Sequence, residues 1–194
     1  MMLTPQLVKK FKDIYSKAQK CGLKEPTAVT LSTCSSQAKP SIRTVLLKSF
    51  DENGFIFFTN KESRKGSQLK ENPYAAMCFY WQPLEKQVIV EGVVKEISSQ
   101  ESDEYFQSRP INSQIGAWAS KQSRSLQSRS QFVSEILKLK MKFLGKPIPR
   151  PDYWGGFCLK PIRMEFWTMK PFRLHERKLY EFSKGDWKEL LLYP

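Results

Sequence analysis

The segment Arg173-Leu174-His175-Glu176-Arg177 contains the only histidine of the chain. Read as a strand, it turns Arg173, His175 and Arg177 to one face and Leu174 and Glu176 to the other. Three donors on one face call for an anion, a phosphate or a carboxylate; a solvated edge strand is the other reading of the pentapeptide alone. A second group lies in 59–69, where a strand ends at Thr59 and a helical pattern opens with Ser63, Arg64 and Lys65. Free N–H groups at a helix start, two cations and hydroxyls suit a phosphate. A third group puts Tyr105 and Arg109 four residues apart on one helix face, with Pro110 ending the helix and Ser113 in the loop beyond, a set suited to a second phosphate.

Single residues extend these groups. In "SIRTVLLK", Arg43 and Lys48 are five apart and are expected on opposite sides of one strand. Gln87 sits in an apolar strand, and Gln122 and Ser123 precede a helix. Neutral hydrogen-bonding groups of this kind match the carbonyls and ring nitrogens of a heterocycle. The sequence holds no Ser-His-Asp pattern, P-loop or GxGxxG, and its four cysteines form no CxxC pair. One histidine and scattered thiols do not make a zinc set, so no metal is expected. Two anion sites with little acid–base equipment suit a reaction in which a bound cofactor does the chemistry and the protein positions it.

The elements that must position these residues are mostly strands. A helix is expected over 5–20, followed by strands at 27–33, 41–50, 54–60, 74–81 and 86–97, separated by turn residues such as "DENG" and "QPLE". Helices are expected near Arg64, over 100–108 and near 125–143; the chain then returns to strands, with "SKGD" as a hairpin turn. Short connections between consecutive strands imply an antiparallel sheet or barrel. The expectation is one α+β domain, mainly β, over residues 1–194.

At 194 residues, 40% hydrophobic, the chain can bury a core. Its net charge of +13 implies an anionic partner, whether nucleic acid, an acidic membrane surface or phosphorylated small molecules. Between 121 and 150, eight cations stand against Glu135 alone, in a helical pattern that reads as a solvated face. The N-terminus lacks the apolar core of a signal peptide, no apolar run approaches spanning length, and a cytoplasmic location without membrane partners is expected.

The blocks "RTVLLK", "FFTNKESRKGSQ", "EKQVIVEG", "YFQSRPINSQIGAWASKQS", "DYWGGF" and "EFWTMKPFRLHERKLY" together resemble the pyridoxine (pyridoxamine) 5′-phosphate oxidase family, in its order, from about Glu25 to the C-terminus. Residues 1–24 match poorly. The resemblance implies a split β-barrel homodimer with FMN between subunits. It assigns flavin contacts to Arg43, Thr59, Ser63, Arg64, Lys65, Gln87, Gln122, Ser123, Trp167 and Arg177. It gives the substrate phosphate to Lys48, Tyr105, Arg109 and Ser113, and sets Arg173 and His175 beside the substrate ring as catalytic residues. The implied reaction oxidises pyridoxamine 5′-phosphate or pyridoxine 5′-phosphate at C4′ to pyridoxal 5′-phosphate. O2 is the acceptor, H2O2 a product, and ammonia is released from the amine. The chain departs from the family pattern at Thr168 after "EFW", at Phe58 before "TN", and at Leu191 and Tyr193 near its end.

Three other readings remain at this level. A split-barrel flavoprotein acting on another substrate would have no use for the Lys48, Tyr105, Arg109 and Ser113 set. A carrier of pyridoxal phosphate would bind without turnover. A nucleic-acid platform would use the positive charge but has no recognisable module.

Overall fold

The computed structural model describes residues 2–194. Its architecture is the expected mainly-β α+β one, a nine-stranded antiparallel sheet curled into a barrel with helices on its flanks. Helix α1 (Pro5–Ala18) is capped by Thr4, whose side chain accepts from the Leu7 N–H at 3.3 Å, and Pro5 sits where no amide is needed. Its apolar face sinks Phe11 among Phe50, Phe55, Phe79 and Trp81 at ring distances of 4.7 to 6.0 Å. The barrel core therefore includes the N-terminal helix.

Strands β1 (Ala28–Cys34), β2 (Pro40–Leu46), β3 (Ser49–Asp51), β4 (Gly54–Asn60), β5 (Tyr74–Trp81) and β6 (Lys86–Glu96) follow the expected order. One correction falls at 41–50, which is two strands and not one. The chain leaves β2 at Leu46, the Leu47 N–H bonds to Thr27 O at 2.9 Å, and the Lys48 N–H bonds to Ile56 O at 2.9 Å. These two bonds tie the β1 side to β4 and draw the sheet closed.

Helix α2 (Arg64–Glu71) follows β4. Helices α3 (Ser99–Ser108), α4 (Ile111–Ala119) and α5 (Arg129–Lys142) follow β6, then β7 (Trp154–Thr168), β8 (Glu176–Ser183) and β9 (Asp186–Leu192). Strand β7, 15 residues long, organises the molecule. One edge pairs with β6 along most of its length; the other pairs with β4 over 154–159 and with β8 over 163–168. The hairpin at "SKGD" forms as expected, with Lys184 and Gly185 both at positive φ. A second apolar cluster, of Phe106, Ile115, Leu139, Ile148 and Trp154, joins α3, α4 and α5 to the start of β7. Among the described residues no helix is long and apolar enough to cross a bilayer.

Candidate active site

A cleft of about 900 Å³ opens between β2, β4, α2, α3 and α4. It gathers ten of the residues singled out from the sequence, namely Arg43, Lys48, Thr59, Arg64, Lys65, Tyr105, Arg109, Ser113, Gln122 and Ser123. The expected opposition of Arg43 and Lys48 does not hold. Because β2 stops at Leu46, strand alternation does not reach residue 48, and both side chains line the same cleft.

One end of the cleft is built on the start of α2. Ser63 is the helix cap and is fully buried beneath the cleft; its hydroxyl accepts from the Gly66 N–H at 3.4 Å and donates to Asn60 O at 2.7 Å. Lys65, also buried, donates to Thr59 Oγ1 at 3.0 Å, Ser63 Oγ at 3.1 Å and Gln122 Oε1 at 3.0 Å. Burial, with the nearby Arg43 charge, lowers its pKa to about 8. Arg43 donates to Leu31 O at 3.0 Å, to Thr33 Oγ1 at 2.8 Å and to Ser41 Oγ, and burial beside Arg64 lowers its pKa. Below it, Gln68 Oε1 accepts from Thr33 Oγ1 at 2.5 Å and Ser41 Oγ at 2.6 Å. Thr33, Ser41 and Gln68 fix the arginine and were not singled out from the sequence. Cations held this closely beside a helix N-terminus create a local field that favours an anion.

The other end is built on α3 and α4. Tyr105 stacks on Phe58 at 3.9 Å between centroids, and Trp154 continues the stack. Arg109 is the C-cap of α3 with extended backbone, so it follows the helix and does not share a helical face with Tyr105. Its guanidinium lies 4.6 Å over the Trp154 ring, and burial lowers its pKa. Its Nη1 is buried with no hydrogen-bond partner among the described residues. A buried guanidinium N–H without an acceptor is costly, and an anionic ligand would satisfy it. Ser113, expected in a loop, lies in the first turn of α4, which Pro110 caps and starts where it was read only as a stop. Trp154 belongs to the "DYWGGF" block but carried no assigned role.

The remaining residues are not in this cleft. Gln87, Trp167 and Arg177 stand directly across from one another on β6, β7 and β8. Trp154 lines the cleft from the opposite end of β7, roughly 40 Å away along the strand. The strand expected at 173–177 is a second correction. Pro171–Arg173 is a turn of 3-10 helix in which Phe172 and Arg173 take positive φ, and β8 begins only at Glu176. Alternation therefore does not align Arg173, His175 and Arg177. Arg173 is exposed, and His175 Nδ1 accepts from the Lys170 N–H at 3.2 Å with its ring 4.7 Å from Trp167. Arg177 turns to Glu165, donating through Nε at 2.7 Å and Nη2 at 3.0 Å. Thr168 accepts from Lys86 Nζ at 2.9 Å, and Tyr193 supplies its backbone oxygen to Arg177 Nη1 at 3.1 Å.

Comparison with known proteins defines the class first. The structure superimposes on PhzG from Burkholderia lata 383, solved with tetrahydrophenazine-1-carboxylic acid, with a TM-score of 0.92 at 31% identity over 99% of this chain and 98% of that one. It shares its fold with a pyridoxamine 5′-phosphate oxidase-related, FMN binding protein from Nostoc punctiforme, with a TM-score of 0.77 at 18% identity over the whole of both chains. The fold is thus the split barrel of that class.

Residues 15–143 match the family model for pyridoxamine 5′-phosphate oxidase, and 154–194 match the pyridoxine 5′-phosphate oxidase C-terminal dimerisation region. The chain is 44% identical over all its 194 residues to the pyridoxine/pyridoxamine 5′-phosphate oxidase of Myxococcus xanthus, covering 94% of that protein. It is 47% identical over 186 residues to the enzyme of the same name from Zymomonas mobilis, covering 97% of it. It belongs to the pyridoxamine 5′-phosphate oxidase family.

Proposed function

We propose that this chain oxidises pyridoxamine 5′-phosphate and pyridoxine 5′-phosphate to pyridoxal 5′-phosphate, with FMN as cofactor and O2 as acceptor, yielding H2O2 and, from the amine, ammonia. The observation that carries this reading is one cleft lined by five cations, Arg43, Arg64 and Lys65 grouped at the α2 start and Lys48 and Arg109 set on the Tyr105 and Trp154 rings. Two phosphorylated ligands side by side, cofactor and substrate, use both sets. The buried, unpartnered Nη1 of Arg109 fits an anionic ligand, and the α2 start with Lys65 fits the FMN phosphate.

When bound, FMN supplies a two-electron acceptor for the substrate's C4′ and returns those electrons to O2. The chain's own residues bind and orient. Arg64 and Lys65 would anchor the cofactor phosphate at the helix start that the buried Ser63 caps, and Arg43, Thr59, Gln122 and Ser123 would meet the rest of it. Lys48, Tyr105, Arg109 and Ser113 hold the substrate phosphate, and so fix C4′ against the acceptor. Gln87, Trp167 and Arg177, with Arg173 and His175, reach a cleft only from a second copy of the chain, which the dimerisation region supports. In that homodimer Arg173 orients the substrate ring, His175 hydrogen-bonds to it, and nearby cations favour the reduced cofactor.

A second reading takes its support from the close superposition on PhzG, whose bound molecule carries a carboxylate in place of a phosphate. Arg109 would serve either anion. One experiment separates the readings, an anaerobic titration of the FMN-reconstituted protein with each phosphorylated vitamer. Bleaching of the blue absorption band, with recovery in air and accumulation of pyridoxal phosphate, is the expected result. A yellow protein that neither vitamer bleaches would overturn the oxidase reading.

A further inference from the structure

Helix α5 carries two apolar stripes. One, formed by Phe132, Ile136 and Leu139, faces the cluster it shares with α3, α4 and β7. The other has no place in that packing. Val133, Leu137 and Met141 recur every four residues, and at about 100° per residue they fall on a single outward strip. They are 48%, 57% and 77% exposed, and Leu144, just past the helix, is 77% exposed. At about the same pitch Arg129 and Lys140 flank the strip on one side and Lys138 on the other. At the C-terminal end of the helix a groove of about 580 Å³ runs between Ile111, Phe143, Leu144 and Ile148, and Lys140 and Lys146 also line it.

We propose that this face docks on an anionic phospholipid bilayer, with α5 lying flat along the surface. Aliphatic side chains between lysines are the pattern of an interfacial helix: the chains enter the headgroup boundary while the cations stay at the phosphate level. The composition favours this occupant over the others. A nucleic acid would use the cations but gains nothing from an aliphatic strip with no ring to stack on bases. A second copy meeting α5 to α5 would oppose two helices that each carry Arg129, Lys138, Lys140 and Lys142 against Glu135 alone. The dimerisation region lies elsewhere, at 154–194. The run read from sequence as a solvated face thus becomes the use for positive charge that two small phosphorylated ligands leave over. The proposal does not rest on the enzymatic reading.

The test is co-sedimentation of the full-length protein with vesicles of pure phosphatidylcholine and of phosphatidylcholine containing one-third phosphatidylglycerol. Binding is expected only to the anionic vesicles, weakening with added salt, and about tenfold weaker in Leu137→Glu/Met141→Glu at unchanged flavin content. Lys138→Glu/Lys140→Glu should weaken it comparably. Failure of the wild type to bind anionic vesicles would overturn the proposal, as would undiminished binding by the Leu137→Glu/Met141→Glu variant, which would assign attraction to charge elsewhere. A smaller oligomer in that variant would show that a second copy covers the strip, and loss of RNA binding without any vesicle binding would assign it to nucleic acid.

Discussion

The carboxylate of Glu165 on β7 and the guanidinium of Arg177 on β8 meet in a two-point contact, Nε to Oε1 at 2.7 Å and Nη2 to Oε2 at 3.0 Å. Glu165 is almost wholly buried, whereas Arg177 is about one-third exposed. The carboxylate therefore depends on this partner, and it holds the guanidinium in one orientation. Arg177→Ala should destabilise the fold by about 3 kcal/mol, because it strands a buried charge. Glu165→Gln should cost less in stability while weakening flavin affinity severalfold through a mobile Arg177. Denaturant unfolding and flavin titration of both variants check the pair; equal flavin affinity in wild type and Glu165→Gln would show that the contact is structural alone.

Arg109→Ala should raise the KM for pyridoxamine 5′-phosphate by roughly a hundredfold, since it removes a charge-assisted donor with no other buried acceptor to serve. Flavin content should stay at the wild-type level, as the residue follows α3 and packs on Trp154, with no contact to α2. Steady-state kinetics beside the absorption spectrum of the purified variant test both halves of the expectation.

The lysine under the α2 start makes binding and stability respond to pH in opposite senses. Lys65 titrates near 8 in the fold against 10.5 as a free side chain. Below pH 8 it is charged in both states, and burial of that charge weighs against the fold. As pH rises from 8 toward 10.5 the folded chain gives up its proton first, so the unfolded state binds more protons and the contribution to stability improves. Anion binding needs the charged form, so FMN affinity of the apoprotein should fall over the same interval. Thermal melts and FMN titrations of the apoprotein at pH 7 and pH 9.5 check the two slopes, and in Lys65→Met both should flatten.

Gly66 sits where a Cβ would come 2.1 Å from the carbonyl oxygen of Lys61 and 2.4 Å from its carbon. Both contacts are backbone, so α2 itself would have to move. Gly66→Ala should cost about 2 kcal/mol and shift the cap that presents Arg64 and Lys65, loosening FMN. A destabilised variant with full flavin affinity would show that the helix start tolerates the displacement.

The strands were legible wherever turn residues bounded an apolar run. Gly54–Asn60 and Tyr74–Trp81 fall at the expected residues. The break between Leu46 and Ser49 was hidden because Leu47 continues the apolar pattern, although the next residue, Lys48, already bonds to β4. Helix α4 was hidden by Pro110, whose fixed φ can start a helix as well as end one. The turn at Phe172 and Arg173 uses positive φ without a glycine to announce it. In the site, cations and hydroxyls marked residues that line the cleft. Nothing local linked Lys65 to Gln122, 57 residues away, or set Gln68 beneath Arg43, since only the closed barrel brings those segments together.

The separation of the two residue groups by the length of β7 carries a genetic consequence. If each cleft takes Arg109 from one chain and Arg177 from the other, a chain lacking Arg109 and a chain lacking Arg177 are complementary lesions. In a mixed dimer one cleft inherits both defects and the other inherits neither. Random reassortment of two inactive proteins should then restore about a quarter of wild-type activity. Neither defect would be silent alone, yet two copies of the gene, each broken at a different end, could sustain a cell that either one could not.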